Sequence, residues 1–272
     1  VNKGIYIAAS AAVASERKFD IVANNLANKE TVGYKRDDLA FTSLLPLTTK
    51  RYMPSFSKES TSAWPYPYNE SQVRYVDLGR PFTDYETGKL IPTDNPLDLA
   101  LLGDGFFSVA TPDGPRYTKS GNFTIDTQGR IVTQEGFPVL GVQGEINVRT
   151  PSLGSMDLRN LIISPEGRVF AESEEQDAYI ELDQINLVRF DDPQRLVKEP
   201  GTYFRYDGAP EAIRPAMETQ VGQGYLESSN VDVLRTMVTM IDLLRGYEAY
   251  QKAVQAFDGI DGTAIEKVAR VG

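Results

Sequence analysis

The sequence predicts an α+β protein: a discontinuous helical domain made of paired, coiled-coil-like N- and C-terminal helices, a central all-β domain, and an extended arm. Three observations predict it. Apolar residues recur at alternating three- and four-residue steps at both chain ends, the period of a helix that offers one seam to a partner. Between Leu78 and Leu187 short apolar runs alternate with turn signals, as in an all-β domain. Residues 46–75 are rich in Pro, Ser, Tyr and Lys and have little periodicity, which suits an extended arm. The resulting division is 1–34 for the first helix, 35–77 for the arm region, 78–225 for the β-domain and 226–272 for the second helix.

On the N-terminal helix the seam runs through Ile5, Ala8, Ala12, Ser15, Phe19, Val22 and Leu26, with small residues where a neighbouring backbone comes close. Ile7, Val13 and Ile21 lie off it. The helix is expected to end between Asn28 and Val32, ahead of Gly33. Asn24, Asn25 and Asn28 have mediocre helix propensity, and two readings stay open for them. They form a solvated, fraying end, or their amides bond across a helix interface.

The arm contains Phe56 and Trp64-Pro65-Tyr66-Pro67-Tyr68. Its aromatics suggest packing by Phe56, Trp64, Tyr66 and Tyr68 onto a neighbour, or else onto the chain's own β-domain. In the β-domain, Leu97, Leu99 and Leu101 precede the Gly103-Asp104-Gly105 turn, and Phe107 and Val109 precede Pro112-Asp113-Gly114, a hairpin pattern. Further turns are expected at Ser120-Gly121-Asn122, Gln128-Gly129, Glu135-Gly136, Gly144 and Glu166-Gly167. From Gln184 the chain reads as a strand through Phe190, a turn or short helix over Asp192–Leu196, and a strand from Tyr203 to Arg205.

The C-terminal seam is Met240, Leu243, Tyr247, Tyr250, Val254 and Phe257. Ser228, Ser229 and Asn230 offer N-cap oxygens before it, and Asp232 suits the first turn. Gly259 and Gly262 each cost a helix about 1 kcal/mol relative to alanine, and Thr263 with Glu266 reads as a capping box for a short second helix. A helix of about 35 residues is roughly 50 Å long. Six seam side chains do not offset the ordering of so many residues at about 1–2 kcal/mol each, so contacts on a second face are needed. Val233, Leu234, Met237, Val238, Ile241 and Leu244 are available for them. The pattern leaves open whether the chain's own body or copies of itself bury these helices.

A formal net charge of −10 argues against nucleic-acid binding through clustered Lys and Arg. The absence of cysteine and histidine removes disulfides, thiolates and the usual base or metal ligand near neutral pH. No P-loop is present, and Gly103-Asp104-Gly105 lacks the third glycine of a dinucleotide site. Glu172, Glu174, Glu175 and Asp177 form an acidic run that could serve glycoside hydrolysis, but a solvated loop explains it better. Neither catalytic, cofactor nor metal residues are expected. No apolar run reaches the roughly 18 residues of a membrane span, and residues 1–30 lack the apolar core of a secretory signal.

The segment Ala23-Asn24-Asn25-Leu26-Ala27-Asn28, followed by Thr31, Gly33, Tyr34 and Lys35, resembles the N-terminal signature of flagellar axial proteins, the rod, hook and hook-associated subunits. Lys29-Glu30 departs from the Val-Asn more common there. Gln223-Gly224-Tyr225-Leu226-Glu227-Ser228-Ser229-Asn230-Val231-Asp232 and Arg245-Gly246-Tyr247-Glu248-Ala249-Tyr250-Gln251 resemble the family's C-terminal segment. Pro96–Ala100, Gly103–Phe107, Arg116–Thr118 and Ser120–Phe123 are similar to its shared β-domain. Within the family, Gly4-Ile5-Tyr6 and Tyr250-Gln251-Lys252 look most like the FlgF-type proximal-rod subunits, with the FlgG-type distal-rod subunits, or a hook-type axial subunit, as the alternative.

The resemblance implies a structural, non-enzymatic subunit that polymerises helically through its terminal helices into a torque-transmitting shaft. It implies an assembly interface of Ile5, Ala8, Ala12, Phe19, Val22, Asn24, Asn25, Leu26 and Asn28 on the first helix. On the second it implies Asn230, Val231, Met240, Leu243, Tyr247, Tyr250, Val254 and Phe257. The partners implied are copies of the chain, neighbouring rod subunits and the flagellar type III export apparatus, without nucleic acid or membrane insertion. The location implied is the periplasmic rod of the basal body, reached without a cleavable signal peptide. A cell-wall hydrolase or a ligand-binding β-domain is the reading from another class.

Overall fold

The computed structural model describes residues 3–44, 75–148, 161–173 and 178–269. Helix α1 covers Lys3–Ala27 and helix α2 covers Val233–Ala269, with a mostly β region between them. The chain divides into two compact units: Val1–Asn24, Asp38–Pro81 and Leu234–Gly272 form one, and Asn25–Asp37 with Phe82–Val233 the other.

In the first unit, α1 turns the side chains of Ala8, Ala11, Ala14, Ser15 and Val22 inward, each under a tenth exposed. Small residues dominate because Cβ methyls and a hydroxyl are what fit when another segment passes close to a helix backbone. Gly4 lies directly against the Phe257 ring, where a Cβ would come within 2.6 Å of it. Ser15, Glu16 and Phe19 share a cavity of about 200 Å³ with Leu243, Leu244 and Tyr247. Strands β1 (Asp37–Leu44) and β2 (Tyr75–Thr83) pair as a two-stranded ribbon. The arm proper, with Phe56, Trp64, Tyr66 and Tyr68, lies outside the described residues.

Helix α2 corrects the reading of its two ends. It starts at Val233, so Asp232 stands immediately before it and Ser228, Ser229 and Asn230 are too early to cap it. It also runs unbroken through Gly259 and Gly262. Thr263 opens no second helix, because its hydroxyl donates to the Gly259 carbonyl at 2.7 Å, the i−4 back-bond of a helical threonine.

The second unit is built on a six-stranded antiparallel sheet in the order β13-β14-β6-β5-β12-β15: Leu196–Lys198, Tyr203–Tyr206, Gly114–Thr118, Phe106–Thr111, Leu187–Phe190 and Ile213–Pro215. Both of its faces are covered. Successive residues of a strand point to opposite faces, so Phe107 and Val109 enter the main core with Leu99, Leu101, Ile131 and Val169. Phe106 enters a smaller aromatic core with Tyr117, Phe190 and Phe204. Phe106 and Phe190 meet edge to face at 5.4 Å between centroids, an arrangement aromatic quadrupoles favour.

The hairpin at Pro112-Asp113-Gly114 is present, as β5 and β6 pair. The turn at Gly103-Asp104-Gly105 makes no hairpin. Strand β4 (Leu99–Leu102) pairs instead with β16 (Gln220–Gln223), and Leu99, Ala100 and Leu101 are all buried. A strand covered on both faces needs no alternation, and the leucine spacing misled for that reason. The short helix expected after Phe190 is a 3-10 turn at Pro193–Arg195, with the Asp192 carboxylate accepting from the Gln194 amide. Strands β3 (Leu90–Pro92) and β17 (Tyr225–Glu227) pair, β7 (Thr124–Ile125) pairs with β8 (Ile131–Val132), and β9 (Leu161–Ile163), β10 (Arg168–Ser173) and β11 (Ala178–Gln184) form a three-stranded sheet.

Candidate assembly surfaces and a buried polar knot

On α2 the seam residues Met240, Leu243, Tyr247, Val254 and Phe257 are half-buried, and Tyr250 sits at the margin of exposure. The other face of its first three turns carries Leu234, Met237, Val238, Ile241 and Leu244, from 44% to 77% exposed. Apolar side chains therefore occupy both faces at that end of the helix. On α1, Ala8 and Val22 are buried, Ile5, Ala12 and Phe19 are half-buried, and Tyr6 and Val13 stand out in solvent. Ala11 and Ala14, which the three-four pattern passes over, are more buried than Ala12. Low apolarity hides an alanine from a hydrophobic count even where its smallness decides the packing.

The asparagines separate. Asn24 is exposed, whereas Asn25 is buried and binds the chain that follows α1. Its Oδ1 accepts from the Asp37 amide (3.0 Å) and the Tyr34 hydroxyl (3.1 Å), and its Nδ2 donates to the Asp37 carbonyl (2.7 Å). Asn28 accepts from the Thr31 hydroxyl, and Leu26 is half-buried. Asn25 thus neither frays nor bridges two helices; it folds residues 34–37 back onto the end of α1.

Asn230 and Val231 stand ahead of α2. Asn230 accepts from the Arg36 amide at 2.7 Å and donates to the Asp84 and Glu86 carbonyls. Val231 is buried. Around them three separate stretches, 25–37, 83–90 and 226–231, tie together in the second unit.

The centre of this knot is the Lys35–Glu227 ion pair, 2.5 Å apart with both side chains fully buried. Lys35 also donates to the Glu86 carbonyl, and the Gly88 amide donates to the same Glu227 oxygen. The Gly33 amide donates to the Glu227 carbonyl at 2.8 Å. Gly33 has φ +69°, and a Cβ there would come within 2.4 Å of the Ser120 amide nitrogen. Two requirements therefore fix a glycine at that position. A Cβ on Gly88 would lie 1.9 Å from the Ser228 carbonyl oxygen.

Charges extend outward from this centre. Arg36 grips Asp84 through Nε (3.0 Å) and Nη2 (2.6 Å). Burial pushes the Asp84 carboxyl up, but the Glu86 amide and Arg36 outweigh it and hold it below the usual range. Lys198 bonds Asp37 at 2.8 Å, donates to the Lys35 carbonyl, and lies over the Tyr34 ring at 4.3 Å. Lys119, also buried, donates to the Gly103 carbonyl. Burial, opposed by Glu227 and reinforced by Lys35, pushes its ammonium down to about 8.

Lys35 and Glu227 stand in two separate motifs of the sequence, near its two ends, and the fold pairs them. No local signal marks the pair: Lys35 stands in the charged run Lys35-Arg36-Asp37-Asp38 and meets Glu227 only through folding, across 192 positions.

Among the described residues no group of three or more His, Cys, Asp or Glu could hold a metal ion. None of the described helices is long and apolar enough to cross a membrane. Glu174, Glu175 and Asp177 of the acidic run lie outside the described residues. The described geometry is that of a structural part: a β body whose two helix-bearing ends are tied by a buried polar knot.

Comparison with known proteins agrees with that class. Residues 5–35 match the family described as flagella basal body rod protein, 100–171 the flagellar hook protein FlgE/F/G D1 domain, and 223–267 the flagellar basal body rod FlgEFG protein C-terminal. The chain is 30% identical to the flagellar basal-body rod protein FlgF of Caulobacter vibrioides, over the whole of both chains. It is 32% identical to the FlgG of Borreliella burgdorferi, over 96% of this chain and 97% of that one. The FlgF of Rhizobium meliloti is 26% identical over 98% of each. The chain belongs to the flagellar basal-body rod protein family.

Proposed function

We propose that the chain is a structural subunit of the flagellar basal-body rod that polymerises through its terminal helices. The observation that carries this reading is the doubled apolar surface of α2: a half-buried seam on one face and an exposed stripe, Leu234 to Leu244, on the other. An exposed apolar stripe of that kind marks an interaction surface. The seam reads as an antiparallel, coiled-coil-like pairing of α1 and α2. Gly4 opposite Phe257, then Ser15 and Phe19 beside Tyr247 and Leu243, support it, because each step up one helix is matched by a step down the other.

On this reading residues 1–34 and 226–272 form the axial domain, 78–225 the outer β-domain, and 35–77 an arm whose Phe56, Trp64, Tyr66 and Tyr68 touch a neighbour. Contacts that do not close into a ring propagate as a helical filament, and the knot would carry torque from the β body to both helices. The partners are copies of the chain, neighbouring rod subunits and the export apparatus; the site of action is the periplasmic rod, and no enzymatic role is assigned. The end-to-end match to a FlgF, with Gly4-Ile5-Tyr6 and Tyr250-Gln251-Lys252, supports a proximal-rod position.

Introducing a charge into the seam tests the reading. Phe19→Asp or Leu243→Asp should abolish motility and rod assembly while the β-domain keeps its near-UV circular dichroism, since an unpaired carboxylate in a packed seam cannot be solvated. Normal basal bodies in electron micrographs of either variant would count against it. Images of basal bodies lacking the subunit distinguish the positions: a rod missing from its base supports the proximal one, and a rod truncated beyond its base the distal one.

A further inference from the structure

A cavity of about 140 Å³ lies wholly inside the second unit, where the loop at Thr31 and Val32 meets the end of β6 and the start of β14. Its wall is almost entirely polar. Hydroxyls of serine, threonine and tyrosine line it with the amides of Asn122 and Gln134 and the carboxylate of Glu135, while Val32 and Phe123 are the apolar side chains among its lining residues. Most of these groups hold one another. Ser120 Oγ donates to Asn122 Oδ1 at 2.5 Å, Gln134 Nε2 donates to the Asn122 carbonyl at 2.8 Å, and the Tyr203 hydroxyl bonds Thr133 Oγ1 at 2.9 Å and Glu135 Oε2. Phe137 meets the Tyr203 ring edge to face at 5.6 Å and keeps it in place. Asn122 Nδ2, a donor, and Gln134 Oε1 and Glu135 Oε1, both acceptors, are left without a hydrogen-bond partner among the described residues.

We infer that this cavity binds one neutral, hydroxylated ring: a sugar residue, free or at the end of a glycan. A hydroxyl both donates and accepts, so the neighbouring hydroxyls of one ring suit a wall that offers a free donor together with free acceptors. Other ligand classes fit worse. The Glu135 carboxylate repels an anion, and no lysine or arginine stands in the lining to offset it. An apolar ligand would strip water from the free amide and carboxylate atoms and give them nothing in return. Size limits the occupant to a single ring, since pockets for drug-sized ligands span about 300–1,000 Å³. Occupancy has a structural consequence. Thr31 and Val32 lead into Gly33, whose amide holds the Glu227 carbonyl, so a ring bonded across the cavity ties the loop after α1 to the β body from a second side.

Titration of the nitrogen-15-labelled full chain with glucose, N-acetylglucosamine and the β-1,4-linked tetramer of the latter tests this. The sugars should shift the amides of residues 31–32, 120–123, 133–135 and 201–203 saturably, and raise the thermal midpoint of the β-domain by mass action. Glucuronate and methylammonium at the same concentrations should do neither. Gln134→Ala removes an exposed side chain, and Glu135→Gln keeps an acceptor for Tyr203 while turning the free oxygen into a donor. Each should weaken sugar binding about tenfold, the loss of one hydrogen bond. Tighter binding of the tetramer than of the single sugars supports a glycan end, and equal binding supports a free sugar. No saturable shift with any of the three sugars would mean that water alone fills the cavity and would overturn the proposal. So would binding of glucuronate or methylammonium in place of sugar, or sugar binding that is unchanged in both variants.

Discussion

Glu227 holds its carboxylate at zero exposure with Lys35 at 2.5 Å. Breaking such a pair from one side leaves a buried charge without a partner, which costs about 3–5 kcal/mol. Lys35→Met should therefore lower the urea midpoint of the full chain's β-domain transition sharply, and Lys35→Met with Glu227→Leu should recover much of the loss. Double-variant stability no better than that of the single variant would show that the knot does not act as an ion pair. Lys119 makes the region pH-dependent. Its folded value is depressed to about 8 from an ordinary 10.5, so the unfolded chain binds more protons between those values. The charge penalty is then complete below about pH 8 and fades as the pH rises. Wild type should gain stability relative to Lys119→Met between pH 8 and about 9.5, by about 3 kcal/mol at most if the range were completed to 10.5. The window ends there because burial holds Tyr34, Tyr85 and Tyr203 neutral above their ordinary 10, which removes stability at higher pH.

Among the elements, the strands were legible where a turn residue was obligatory and misread where burial was two-sided. Gly114, Gly129, Gly136, Gly144 and Gly167 all adopt positive φ at expected turns, because the backbone conformation itself selects glycine. β4 paired elsewhere because pairing over a long sequence separation leaves no local mark. The candidate site shows the same division. The α2 seam could be read from large apolar side chains, whereas Ala11, Ala14 and the Lys35–Glu227 pair depend on residues that meet only after folding. Gly259 and Gly262 show how context overrides propensity. Both lie inside α2 with nothing within 4 Å of where a Cβ would stand, so alanine at both should stabilise the helix by about 1 kcal/mol each without a clash. Raised helicity in circular dichroism with unchanged assembly would agree with this; a loss of motility would show that flexibility at that point is used. In dilute monomer, amides of residues 5–24 should exchange far faster than those of the β-domain, since one seam cannot order both helices. Strong protection there would mean that the helices need no neighbours.

For the molecule as a whole, polymerisation through contacts that do not close into a ring makes damage spread beyond its share of the pool, because every copy both receives a neighbour and offers a surface to the next. Ile241→Glu puts a carboxylate into the exposed apolar stripe of α2 and leaves the half-buried seam and the β body untouched, so the variant should fold and still enter the assembly with one surface damaged. Co-expressed as a minor fraction with wild type, it should shorten rods and reduce motility more than its share of the pool. Rod length and swimming speed, measured against the fraction of variant expressed, check this. Loss of function in simple proportion to the dilution of wild type would show that the α2 stripe is not a polymer contact.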